Sequence, residues 1–382
     1  MRIKIVYYFY SMPKKMICEY LTYLANIKAD MRINLNKQEL NKVYRLLDTK
    51  EINISIAEAL FETYEETAFF KGAKDANSFF EKLLEYWNAY DGSEEDIEIL
   101  EKWVKPAIFP LKPDYFDKNL YYQTIKPNQI KDGDYRFEYL SYKPFQPFSF
   151  NDIQVDENDC YLERSPIAYF TNEKQYLALT YKGKVWMSII PNEIETMQPL
   201  IDSSKGNVLV LGLGLGYYPF MISEKEEVKD ITIVELDSTI IEMFKKHLLP
   251  LIPHKEKIHI IQGDAIKYMS SCKDEYDTVF ADLWHNPSDG LPLYIKLKRL
   301  EYRFSHASFQ YWLEKSLIAL YRRCLLTVFV GHLEDIQIDD PDPELNRIMK
   351  IIDDKTKNVT INSYDDINNL LGDDSIIRFA KS

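Results

Sequence analysis

The run Asn207-Val-Leu-Val-Leu211, followed at once by Gly212-Leu-Gly214-Leu-Gly216, constrains this chain more than any other feature. A short apolar run reads as a buried strand. Alternating glycines directly after it let the backbone turn sharply and let a ligand approach more closely than a Cβ would permit. An aromatic helix start at Tyr217 completes the strand, loop and helix context that gives such a motif meaning as a nucleotide site. The rhythm then continues, with Ile231 to Glu235, Ile258 to Ile261, Tyr276 to Ala281 and Leu325 to Val330 read as further strands. The spacing predicts an α/β fold with a doubly wound parallel sheet.

Three regions are expected. Residues 1–105 are read as a helical N-terminal region, because apolar residues recur at helical spacing in Ile56, Leu60, Phe61 and Tyr64 and again in Phe79, Phe80, Leu83, Leu84 and Trp87. Ser93-Glu94-Glu95-Asp96 reads as a cap with acids in the first turn of the last helix there. Residues 106–200 are rich in proline and aromatics, which disfavours long helices and predicts irregular segments and a small β domain. Within it, Tyr176 to Ser188 alternates on both sides of Lys182-Gly183 as a hairpin does, and a short helix follows from Glu193 to Ile201. Residues 201–382 hold the α/β domain.

Composition excludes several classes. At 382 residues and 46 % apolar content the chain can build real cores. No uninterrupted apolar run approaches the roughly 20 residues of a membrane span, and the start lacks a signal-peptide pattern, so a cytoplasmic protein without membrane partners is expected. A formal charge of -13 argues against nucleic acid, whose binding depends on Lys and Arg at phosphates. The stretch from Glu334 to Asp374 carries 12 acids against 4 bases and reads as a solvated face. Cys18, Cys160, Cys272 and Cys324 show no paired spacing, so reduced, mostly buried thiols are expected and no metal site. His306 and His332 are read as structural.

Four acids follow the predicted strands. Glu235 ends the second strand 19 residues after Gly216, where a carboxylate can accept from both ribose hydroxyls. Asp237 is assigned to capping the next helix, Ser238 to His247. The third strand runs into Gly263-Asp264-Ala265, which puts a carboxylate where it can accept from an exocyclic amine. The fourth delivers Asp282 into the crevice at the carboxyl ends of the strands, nearest the chemistry. Beside it, Trp284 and His285 offer an aromatic pocket wall and a titratable imidazole, a candidate general base.

In this order and spacing the elements resemble the class I S-adenosylmethionine-dependent methyltransferase family, with its Rossmann-like domain, and within it the branch of spermidine and spermine synthases. The resemblance covers roughly residues 176 to 332. It implies that Gly212, Gly214 and Gly216 pass under the methionine part of the cofactor, that Glu235 binds ribose, that Asp264 and Ala265 meet the adenine, and that Asp282 faces the reacting centre. Leu179 to Gly183 and Ser188 match the hairpin of the polyamine synthases. Elsewhere this chain departs from them. Their glutamine after the glycine is Trp186, their Asp-Glu and Tyr-His pairs fall on Pro191-Asn192 and Glu195-Thr196, and the acid inside their glycine loop is Leu215. Their Asp-Ser-Ser-Asp-Pro loop becomes Asp282-Leu-Trp-His-Asn-Pro287.

The expected function is therefore S-adenosylmethionine-dependent methyl transfer to a small-molecule acceptor. The alternatives are aminopropyl transfer from decarboxylated S-adenosylmethionine and a non-catalytic nucleotide-binding protein. A homodimer is possible on the resemblance, with the aromatic segment 106–170 as its interface.

Overall fold

The computed structural model describes residues 31–47, part of 54–102, and 105–382 apart from 128–129, 159–160 and 337–339. Most of the helical pattern expected before residue 105 lies outside the described residues, as do Cys18 and Cys160. The described part includes helices Lys37–Leu47 and Glu94–Ile99. Residues 31–47 dock on the far end of the chain: Arg32–Ile33 pairs in parallel with Thr360–Ile361, and the Tyr44 hydroxyl donates to Glu334 at 2.7 Å.

The segment after residue 106 is short-stranded, as its prolines require. Strands β1 (Tyr135–Tyr142), β2 (Lys174–Tyr181) and β3 (Lys184–Ser188) form most of an antiparallel sheet. The hairpin turns at Lys182 and Gly183, both at positive φ (51° and 78°), the geometry that joins two right-twisted strands through two residues. Between Val185 and Met187 the register slips, and Trp186 is left as the extra residue of a β-bulge. The aromatics of this segment face inward: Tyr121, Phe137, Tyr142, Phe148 and Phe170 are buried in the chain's own core. Cys324 is buried and Cys272 half-buried, both without a disulfide.

Helix α1 (Pro191–Ser203) leads into β4 (Gly206–Leu211), α2 (Tyr217–Ser223), β5 (Val228–Glu235), α3 (Ser238–Met243), β6 (Ile258–Gln262), α4 (Ala265–Ser271), β7 (Thr278–Ala281), α5 (Pro287–Lys298), β8 (Ser308–Tyr311) and α6 (Glu314–Glu334). The sheet runs β6-β5-β4-β7-β8 with all neighbours parallel. Val208 to Leu211 are completely buried, since the central strand of a parallel sheet is covered on both faces. The strand order reverses between β4 and β7, and the crevice opens there. The doubly wound α/β fold expected from the sequence is the fold observed.

One predicted strand is corrected. Leu325 to Val330 lies inside α6, and the fifth strand is β8. A six-residue apolar run has the same composition in a buried helix as in a buried strand, and only its packing separates the two. α6 is also long and apolar enough, by length and composition, to cross a membrane; here 56 % of its most apolar window is buried inside the protein. Its buried Arg322 pairs with Asp373.

The start of α6 is held by a distant residue. Leu313, at φ 55°, offers no side-chain cap. Instead the Asp152 carboxylate accepts from the backbone N–H of Lys315 (3.1 Å) and Ser316 (3.2 Å) and from the Ser316 hydroxyl. Asp152→Ala is expected to lower stability by about 1–2 kcal/mol, with Asp152→Asn largely restoring it. Denaturant unfolding of both variants checks this; an alanine variant as stable as the parent would remove the capping role.

Candidate active site

The glycine loop is shaped by three positive φ angles, 96° at Gly212, 54° at Gly214 and 73° at Gly216. Each serves a different purpose. A Cβ on Gly212 would lie 2.0 Å from the backbone oxygen of Asp282, so that glycine closes β4 against β7. A Cβ on Gly216 would meet the Phe244 ring at 2.3 Å, so that one seats the loop on the helix behind it. Around Gly214 nothing lies within 4 Å, because it faces the cavity.

That cavity, about 730 Å³, lies over the carboxyl ends of β4 to β7. Gly212, Gly214, Glu235, Asp264, Ala265, Asp282, Trp284 and His285 all line it; Gly216 supports it from below. The site residues expected from the sequence thus come together, although they do not stand in equivalent positions.

Glu235 is anchored twice, accepting from the Leu213 backbone N–H at 3.0 Å and from that of Asp237 at 2.8 Å. These bonds fix the carboxylate against the glycine loop and leave lone pairs for two hydroxyls. Asp237 caps α3 by accepting from Thr239 at 2.7 Å, as assigned from the sequence. Asp264 caps α4 through Lys267 at 2.8 Å. The residue also lines the cavity next to Ala265.

Asp282 sits in a different environment. Burial, and then the nearby Glu235 charge, push its carboxyl up to about 7. Facing it is Glu193, at the start of α1, whose carboxyl is raised well above its ordinary value by burial and by Asp282, against a backbone hydrogen bond from Ile190. The sequence reading found the polyamine synthases' Asp-Glu pair replaced by Pro191-Asn192 and did not single out Glu193, the next residue. The missed signal was an acid in the first turn of the helix after the hairpin, which local pattern alone assigns to capping. Asn192 also lines the cavity, and its Oδ1 is buried without a hydrogen-bond partner among the described residues.

Trp284 and His285 line the cavity in different ways. Trp284 is buried, donates from Nε1 to the Trp312 carbonyl at 3.1 Å, and packs on Gly290, so it forms a fixed wall. His285 is exposed, with Nδ1 3.1 Å from Asp289 and its ring 5.9 Å from Trp186. Glu195 accepts from the Tyr115 hydroxyl at 2.6 Å, and Thr196 accepts from Trp312 Nε1 at 2.8 Å. Leu215 is buried, its carbonyl held by Tyr121 at 2.7 Å.

Glu193, Glu235, Asp237, Asp264 and Asp282 bring five carboxyl groups to the lining, and neither Lys nor Arg is among the described lining residues. Such a cavity suits a cation. Among the described residues no group of His, Cys, Asp and Glu is arranged to hold a metal ion.

Residues 191–294 match the family model for the spermine/spermidine synthase domain, and the resemblance drawn from the sequence holds over that stretch. A curated polyamine aminopropyltransferase of Korarchaeum cryptofilum is 38 % identical over 76 residues, 19 % of this chain and 23 % of the relative. Polyamine aminopropyltransferase 2 of Hyperthermus butylicus is 29 % identical over 123 residues, 30 % of this chain and 40 % of the relative. The chain thus spans well under half the length of these curated relatives. Among solved structures, spermidine synthase from Thermotoga maritima overlaps at 16 % identity with a TM-score of 0.24, over 33 % of this chain and 48 % of that one. The family model and the curated relatives support a transferase. They overturn the methyl transfer expected from the sequence, because the matched domain is that of the spermine/spermidine synthases and both curated relatives are named for aminopropyl transfer.

Proposed function

We propose that this protein is an aminopropyltransferase that uses decarboxylated S-adenosylmethionine and a small amine acceptor. The acidic lining carries the reading: five carboxyl groups and no lysine or arginine favour a cationic donor without a carboxylate of its own over S-adenosylmethionine, whose carboxylate would enter a like-charged cavity. The residues fit such a molecule. Gly214 leaves room for its sulfur-bearing chain, Glu235 presents lone pairs to ribose hydroxyls, and Asp264 with Ala265 lines the adenine end.

The donor supplies a three-carbon amine on a sulfonium, a leaving group that departs as a neutral thioether. The acceptor nitrogen forms the new N–C bond as the C–S bond breaks, the electron pair going to sulfur. Asp282 takes the proton that the nitrogen loses. Its position near 7 suits a base that is half ionised at neutral pH. Glu193 and Asn192 Oδ1 add acceptors for the N–H groups beside it.

Calorimetric titration tests the reading. Decarboxylated S-adenosylmethionine is expected to bind at least about tenfold more tightly than S-adenosylmethionine, and Glu235→Ala to weaken it by a similar factor, about 1.4 kcal/mol. Tighter binding of the carboxylated form, or binding of neither, would refute it.

A further inference from the structure

The cavity's polarity is uneven. Four of its acids lie at the ends of β5, β6 and β7, and the fifth, Glu193, faces Asp282 from α1. The lining also includes an aromatic and apolar set, Val185, Trp186, Met187, Trp284, His285 and Leu293, of which Val185, Trp186 and His285 are exposed. Among the described residues, no lining carboxylate belongs to this set. The nearest candidate, Asp289, is spent on its own loop: it accepts from the backbone N–H groups of His285 (3.2 Å) and Asn286 (2.9 Å) and faces His285 Nδ1 at 3.1 Å.

Trp186 is aimed there by the backbone. It is the extra residue of the β3 bulge, unpaired with β2, and bulges re-aim side chains at the rims of sites. Its ring lies edge to face with His285 at 5.9 Å, and His285 is itself fixed by Asp289. Trp186 and Val185 are both exposed, although each is large and apolar.

Resting on the aminopropyl reading, we infer that the acceptor is a primary amine whose remote end is aromatic or aliphatic, with Trp186 as the residue that selects it. The acceptor's amine sits among Asn192, Glu193 and Asp282. A second ammonium at the far end of a diamine meets no lining carboxylate there among the described residues, and its contact with an exposed indole is worth only about 0.5–1 kcal/mol. An apolar tail gains contact with Trp186, Val185 and Leu293 and removes their surface from water.

Initial rates of thioether release from decarboxylated S-adenosylmethionine separate the possibilities, because that product forms whatever the acceptor. Phenethylamine and hexylamine are compared with putrescine and spermidine, in the parent protein and in Trp186→Gln and Trp186→Phe. The expected result is a kcat/KM for the monoamines about tenfold or more above that for putrescine. Trp186→Gln should erase the preference and Trp186→Phe retain most of it, both with unchanged cofactor affinity. Preference for putrescine, or a preference indifferent to Trp186→Gln, overturns the inference and leaves aminopropyl transfer standing. Absence of thioether release with every amine, despite cofactor binding, overturns both.

Discussion

Replacing Asp282 by asparagine is expected to lower kcat for aminopropyl transfer by about 10²–10⁴-fold, the range lost with a positioned general base. The loss should come with a change in pH profile. In the parent protein the rate should rise with pH through about 7, as Asp282 ionises, and then level. In Asp282→Asn that limb disappears. Stability should move the other way. A carboxyl raised from 3.8 to about 7 on folding holds its proton in the folded state while the unfolded chain has lost it, so its contribution is full below pH 4 and is lost as pH rises through 7. The asparagine variant carries no such loss and should be at least as stable as the parent at pH 8. Activity within tenfold of the parent, or an unchanged acidic limb, would remove Asp282 from the reaction. A cationic ligand should draw Asp282 back toward ionisation, so its affinity is expected to rise with pH across the same window.

Gly212→Ala is expected to have the largest effect on the fold. The residue sits at φ 96°, and a Cβ would stand 2.0 Å from the Asp282 carbonyl oxygen, which belongs to the backbone and cannot rotate away. Strain of about 1–2 kcal/mol from the left-handed backbone adds to about 1–3 kcal/mol of overpacking, and the end of β7 must shift with it. The yield of folded protein and its thermal midpoint should both fall. Gly214→Ala provides the contrast. It has positive φ but no neighbour within 4 Å, so only the backbone strain applies and the protein should fold, while its added methyl enters the cavity and weakens adenosyl binding. Equal stability of the two alanine variants would show that the contact with Asp282 does not constrain Gly212.

The sequence by itself determined the α/β sheet and the positions of Gly212, Gly214, Gly216, Glu235, Asp264 and Asp282. These features are local: a buried central strand must be apolar, a chain leaving it at positive φ must use glycine, and the residue after a parallel strand falls at the crevice by the geometry of the sheet. Asp237 as a cap was legible for the same reason, since the cap and the N–H it binds are two residues apart.

Tertiary structure decided what depends on partners remote in sequence. Leu325 to Val330 became helix because α6 is buried between other elements, a fact absent from a six-residue window. Asp152 caps that helix from 163 residues away. Glu193 comes near Asp282 only once α1 packs on α2 and is tied to Gln310 and Trp312 at the end of β8, and until then an acid in a helix's first turn is indistinguishable from a cap. Trp186 reaches the mouth through a register slip that no alternation pattern records. Burial raised the Glu193 and Asp282 carboxyls above the ordinary carboxylate range, a shift that arises only once folding brings them out of water.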